Sequence, residues 1–145
     1  MVSLAEEISL EVCEDSDAAQ LLLIEEGLNE FNDLMTGIND RKPLSVLVRS
    51  TRTGNVLGGM QGRSSLGLLF IDLFYLPPEL RKMGIGSDIL HRFEDEGRKR
   101  GCSAAFLYTI SFQAPDFYKK YGWEEFGRID CQPEGTSRIF MKKSL

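Results

Sequence analysis

The sequence predicts a single α/β domain built on a mixed β-sheet, and three observations predict it. Leu66 to Leu76 is an almost unbroken apolar run, as expected of a strand near the centre of a sheet and covered on both faces. After it come a segment with helical apolar spacing and a second strand-like run, Ala104 to Thr109. A whole helix between two strands makes them parallel, because βαβ crossovers are right-handed. Antiparallel pairs before and after this unit make the sheet mixed. With 145 residues, 42% of them hydrophobic, the chain has enough for one substantial core, so residues 1–145 are expected to be one domain.

The elements follow in order. Ile8 to Cys13 alternates apolar and polar residues like a half-buried strand, and Ser16-Asp17 offers an N-cap for a helix. Leu21, Ile24, Leu28, Phe31 and Met35 give that helix an apolar stripe, with Glu25, Glu26, Glu30 and Asp33 largely outside it and a break expected near Gly27. Leu44–Arg49 and Val56–Gln61 flank a Gly54-Asn55 turn and predict an antiparallel hairpin. Beyond Gly86 a helix presents Ile85, Ile89, Leu90, Phe93 and Gly97 to the sheet and ends at Gly101 as its C′ residue. A helix around Pro115–Tyr121 and a closing antiparallel pair, Trp123 to Ile129 and Arg138 to Lys142, complete the chain, with Pro133-Glu134-Gly135 as the turn. Trp123 and Phe126 are expected in the core at the end of the sheet.

Composition narrows the function classes. A net charge of -5 without a Lys/Arg run argues against nucleic acid as a partner and suits a positively charged substrate. Cys13, Cys102 and Cys131 are far apart and odd in number, which reads as ordinary thiols of a reducing compartment and predicts no metal site. Neither a signal peptide nor a membrane span is expected, and the cytoplasm follows as the expected location. A homodimer is left open.

The segment Leu73 to Ser87 carries the chemistry. An apolar strand runs through Pro77-Pro78 into Arg81-Lys82-Met83-Gly84-Ile85-Gly86-Ser87, where glycines let an anion approach the backbone and a helix start offers free N–H groups. It reads as a pyrophosphate cradle with Arg81 and Lys82 adding charge. No Lys-Ser/Thr follows the glycines and the third glycine of the dinucleotide fingerprint is missing, so a nucleoside triphosphate or NAD fits poorly. Arg81-x-x-Gly84-x-Gly86 after a strand instead resembles the acetyl-CoA loop of the GCN5-related N-acetyltransferase (GNAT) family. Downstream, Phe117-Tyr118-Lys119-Lys120-Tyr121-Gly122-Trp123 is similar to that family's F-Y-x-x-x-G-[FW] signature. The two motifs stand in order, separated by a helix and a strand.

The resemblance covers the chain from about Val46 onward. It implies the acyl-CoA N-acyltransferase fold, with central parallel strands splayed apart and flanked by helices, acetyl-CoA as acetyl donor, and a small-molecule amine as acceptor. The backbone of Phe74, Tyr75 and Leu76 would bond the pantetheine arm, and N–H groups from Lys82 through Met83, Gly84, Ile85 and Gly86 to Ser87, with Arg81 beside them, would hold the pyrophosphate. Tyr118 matches the signature tyrosine and is expected to protonate the departing thiolate.

The base is less defined. Phe70 and Phe106 stand where several family members carry a glutamate, so Asp72, a carboxylate within an apolar run, is the substitute. A structural acceptor role for Asp72, or a water chain as the base, stays open. Where the family often has an asparagine, this chain has Ser111-Phe112-Gln113; Gln113, Ser111 or a backbone group supplies that contact to the coenzyme. His91 falls opposite the apolar stripe and reads as a solvated surface residue. Three functions remain: acetylation of a small cationic amine, acetylation of a protein amino group, and a non-catalytic acyl-CoA-binding module.

Overall fold

A computed structural model describes residues 6–145. The chain divides into a unit ending at Asn39 and a unit running from Asp40 to Leu145.

The first unit holds helix α1, Ala18–Thr36. Asp17 caps it: its carboxylate accepts from the Gln20 N–H at 2.9 Å, while the Gln20 side chain accepts from the Asp17 N–H at 3.2 Å. Gly37, in the left-handed region at φ 70°, ends it. The helix runs unbroken through Gly27, since one interior glycine costs only about 1 kcal/mol against a long helix. The expected strand at Ile8–Cys13 does not form. Alternation alone makes no strand without a neighbouring backbone for the ladder, and no described residue pairs with it.

The second unit is built on strands β1 (Lys42–Arg49), β2 (Val56–Ser65), β3 (Leu68–Tyr75), β4 (Ala104–Ile110), β5 (Glu124–Cys131) and β6 (Thr136–Ser144). Among the described residues they form one six-stranded sheet in the order β1-β2-β3-β4-β6-β5. Only β3 and β4 run parallel; the β1–β2, β2–β3, β4–β6 and β5–β6 pairs are antiparallel. This is the mixed sheet that the sequence predicts, with β3 and β4 at its centre.

Helix α2, Ile85–Lys99, crosses between β3 and β4 and buries Ile89, Leu90, Phe93 and Gly97 against Met60, Leu69, Ile71, Leu107, Ile139 and Met141. The approach is close. A Cβ on Gly97 would stand 2.7 Å from a Leu69 methyl, so glycine there lets helix and strand touch. Gly101, at φ 83°, follows the helix as expected. Arg100, at the end of α2, donates to the Lys42 carbonyl (3.1 Å), the Pro43 carbonyl (3.2 Å) and the Ser64 hydroxyl (3.1 Å), tying the helix to β1 and β2. The short helix α3, Pro115–Lys120, leads through Gly122 into β5.

Two expectations need correction. The apolar run of β3 is not evenly buried: Leu69 and Ile71 are inside, whereas Leu73 is 60% exposed. The half of the strand beyond Asp72 faces a cleft rather than the core. Phe126 is exposed instead of filling the core, because β5 bulges between Glu125 and Gly127 and leaves Phe126 without a partner in the ladder.

Candidate active site

The parallel ladder is short. It pairs Leu68 with Ala104 through to Ile71 with Leu107 and then stops, although β3 continues to Tyr75 and β4 to Ile110. The two strands part from there on. Past the parting, Leu73 to Tyr75 pair only with β2 and Tyr108 to Ile110 only with β6, so their facing edges have backbone groups to offer a ligand. A bulge starts the divergence: Gln61 stands opposite Leu73 and Gly62 opposite Ile71, which leaves Asp72 unmatched. Gly62 makes this register attainable, since a Cβ there would fall 1.8 Å from the Phe70 carbonyl oxygen.

A cleft of about 1000 Å³ opens between the parted strands. Phe74, Tyr75 and Leu76 line one wall and Tyr108, Thr109, Phe112 and Gln113 the other, with α3 and the start of α2 between them. The cations lining it, Arg81, Lys82 and Lys120, come from the stretch before α2 and the end of α3; its one lining carboxylate is Asp72 on β3.

At the start of α2, Gly84 is the N-cap at φ 80° and no side chain caps the helix, so its first N–H groups have no internal partner. Lys82 is left-handed as well, at φ 60°. Alternation of this kind turns successive N–H groups toward one concavity suited to an anion. The glycines differ in what they permit. A Cβ at Gly84 would meet nothing within 4 Å, and its φ is what restricts the position; at Gly86 a Cβ would reach the Phe117 and Phe74 rings at 3.5 Å. Gly86 therefore also seats α2 beside the aromatic pair Phe74 and Phe117, whose centroids are 5.8 Å apart. Arg81 donates from Nε to the Leu76 carbonyl at 2.9 Å and closes the turn between β3 and α2. Met83 and Ile85 do not line the cleft with the rest of the loop.

Tyr118 lies at the inner end of the cleft, 4% exposed, with Phe117 and Trp123 edge-on at 5.2 and 5.6 Å. Burial pushes its phenol pKa well above the ordinary value, so the group keeps its proton throughout the neutral range. The phenol thus opens on the cleft with its proton in place, the protonation state a proton donor starts from.

Asp72 does line the cleft, but it is exposed, contrary to the buried carboxylate expected within an apolar run. Its place in the bulge turns it toward the open space.

Ser111 and Gln113 are employed in the fold. Ser111 exchanges backbone and side-chain bonds with Ser137 at 2.8 and 3.0 Å and does not line the cleft. Gln113 accepts through Oε1 from the Thr109 hydroxyl at 3.0 Å and the Ile110 N–H at 2.9 Å, so its NH2 remains a donor at the cleft wall. His91 is exposed, with its ring edge-on to Tyr121 at 5.4 Å.

Tyr108, Thr109, Phe112 and Tyr121 are cleft residues that sequence reasoning did not reach; the alternation of β4 gives the face of Tyr108 but not the parting that exposes it. Glu94 was missed too. Fully buried, it accepts from the Trp123 indole at 3.3 Å and from Lys143 at 2.5 Å. The signal was present, for Glu94 occupies the helical step between Leu90 and Gly97 on the buried stripe.

Among the described residues no cluster of His, Cys, Asp or Glu is arranged to hold a metal ion, and no helix is long and apolar enough to cross a membrane.

Known proteins resemble this chain in sequence and fold. Residues 6–123 match the model of the acetyltransferase (GNAT) family. The acetyltransferase Atu2258 of Agrobacterium fabrum is 30% identical over 128 residues, covering 88% of this chain and 93% of the relative. Blasticidin-S acetyltransferase of Streptomyces morookaense is 30% identical over 112 residues, covering 74% and 82%. A crystal structure from Agrobacterium tumefaciens superposes with a TM-score of 0.89 at 28% identity, over 95% of this chain and all of that one.

Proposed function

We propose that this chain, which belongs to the acetyltransferase (GNAT) family, moves the acetyl group of acetyl-CoA to a primary amine of a small cationic molecule by direct attack. The observation that carries the proposal is the parting of β3 and β4 beside the uncapped start of α2, with the Tyr118 phenol at the inner end of the gap.

Acetyl-CoA supplies an acetyl group activated as a thioester. The residues present suit it: an extended chain fits between strand edges that lack a neighbour, and a pyrophosphate fits the N–H groups around Gly84. Phe74, Tyr75 and Leu76 would hold the pantetheine arm through their backbone. Lys82, Gly84, Gly86 and Ser87 would hold the pyrophosphate, with Arg81 and Lys120 adding charge. The Gln113 amide NH2 is a further donor to the coenzyme.

Tyr118 carries the proton for the departing thiol and gives it up at the phenol oxygen. Asp72 orients the acceptor's ammonium and takes its proton directly or through water. Its exposure favours the water route, since water in the open cleft reaches it, and its charge makes it an anchor for a cation. The name of the Streptomyces relative gives a small-molecule substrate, which supports the same class here. We place the reaction in the cytoplasm, where acetyl-CoA and free thiols coexist.

The test pairs acetyl-CoA calorimetry with coenzyme-thiol release over a panel of polyamines, aminoglycoside-like compounds, amino acid derivatives and N-terminal peptides. Binding with thiol release on one cationic amine is expected. Release with peptides alone would transfer the chain to protein acetylation, and binding without release on any amine would make it an acyl-CoA-binding module.

A further inference from the structure

Glu94 is the least exposed charged side chain of the sheet unit, and the reaction proposed above leaves it without a task. It sits one helical step from Leu90 on the buried face of α2, where an unpaired carboxylate would be strongly disfavoured. Its partners come from three places. The Trp123 indole donates to Oε2 at 3.3 Å, Lys143 of β6 donates to Oε1 at 2.5 Å, and Arg98 of α2 approaches Oε1 at 3.5 Å.

Trp123 in turn is the wall behind Tyr118. Its ring packs edge-on to the phenol ring at 5.6 Å, and its backbone N–H donates to the Tyr118 carbonyl at 3.1 Å. Helix α3 has only six residues and cannot fix a side chain by its own stability. The orientation of Tyr118 therefore comes from the rings around it, and the indole is the one anchored by a hydrogen bond.

We infer that Glu94 is a positioning residue for the acid of the reaction: by holding the Trp123 indole it sets the place of the Tyr118 hydroxyl, and because it stands on α2 it references that hydroxyl to the helix whose first turn forms the anion cradle. The catalytic consequence rests on Tyr118 acting as the acid. The linkage itself does not.

The chain has a single tryptophan, so one indole N–H resonance reports the contact in a labelled sample. In Glu94→Leu that resonance is expected to move upfield and exchange faster, and the Tyr118 ring resonances to shift with it. Turnover should fall by at least about tenfold, since a misplacement near 1 Å costs about a hundredfold, while acetyl-CoA affinity stays within about threefold. Glu94→Gln keeps an oxygen for the indole; it should retain the indole resonance and most of the turnover while melting earlier. If Glu94→Leu does not fold, Trp123→Phe removes the same N–H donor and replaces it in the turnover cycle.

The decisive measurement is the double-mutant cycle with Tyr118→Phe. With no hydroxyl left to position, Glu94→Leu should cost no further turnover, a non-additivity that a purely stabilising residue would not produce. Equal losses with and without the hydroxyl, or Tyr118 resonances unmoved in Glu94→Leu and Trp123→Phe, would overturn the inference. Wild-type turnover of Tyr118→Phe would instead overturn the acid assignment, and the ring resonances alone would then decide the linkage.

Discussion

On either side of Asp72, β3 is apolar in sequence, and its two parts lead opposite lives. From Leu68 to Ile71 the strand has a neighbour on both sides and presses Leu69 and Ile71 into α2; from Leu73 to Tyr75 it keeps only β2 and forms the wall of a cleft. One unmatched residue separates them. An apolar run tells that water is unwelcome along its length, but not whether the company is another strand or a ligand. The same hydrophobicity that stabilises the fold in the first half is available for binding in the second.

The comparison can be broken or sharpened by substitution. The largest effect is expected in the parted half: Tyr118→Phe removes a hydroxyl without removing a ring, and turnover should fall between about ten- and ten-thousand-fold with acetyl-CoA affinity little changed. Its pH dependence has a definite sign. Burial raises the phenol's folded-state pKa, so the stability linked to its protonated form is fully present below the ordinary value of about 10 and is lost as pH rises from there through the folded value. Any loss of turnover between pH 7 and 9 in the wild-type enzyme should survive in Tyr118→Phe.

Leucine to alanine at two positions of one strand tests the halves directly. Leu69→Ala, in the paired half, should cost about 2–5 kcal/mol in urea unfolding, because the cavity left against Gly97 and Phe93 cannot refill. Leu73→Ala, in the parted half, should cost less than about 1 kcal/mol and show itself in coenzyme affinity. Equal destabilisation at the two sites would erase the distinction.

Between them in size lies Gly84→Val. A β-branched residue held near φ 80° costs about 1–3 kcal/mol, which should appear as roughly ten- to hundredfold weaker acetyl-CoA binding by calorimetry as the loop relaxes out of its anion-holding shape. Unchanged affinity in a folded variant would remove the pyrophosphate from this loop. The smallest structural effect is expected at Asp72→Asn, within about 0.5 kcal/mol because the side chain is exposed, with a raised KM for the amine as its signature. Marked early melting would return Asp72 to a structural role.

Much of this was legible in the sequence, and the failures share a cause. The glycine-rich turn into α2 is readable because Gly84 and Gly86 state local backbone requirements, and the βαβ order because helix and strand periods are local too. The sequence predicts Asp72 as buried because an apolar run assumes an unbroken ladder, and a bulge depends on the neighbouring strand, here on Gly62. Phe126 failed for the same reason at the β5 bulge. Ile8–Cys13 has the right pattern, but alternation does not specify a partner backbone, and no strand forms there. Glu94 lies in plain view on the apolar stripe, but two of its three partners are distant in sequence, and only the fold brings Trp123 and Lys143 to it.

Helix α2 is held at its far end by the Arg100 guanidinium, whose donors engage two carbonyls of β1 and a hydroxyl of β2, and along its middle by the contact of Gly97 with Leu69. A rod clamped at the rear and wedged at its centre cannot slide along its axis. The N–H groups at its front thus stay at a fixed height whether or not an anion faces them. If the coenzyme's pyrophosphate is held at this end, as proposed, its arrival is a docking onto a stationary surface, and stopped-flow traces of binding should be single exponentials whose rates rise linearly with coenzyme concentration, without the plateau that a moving helix would impose.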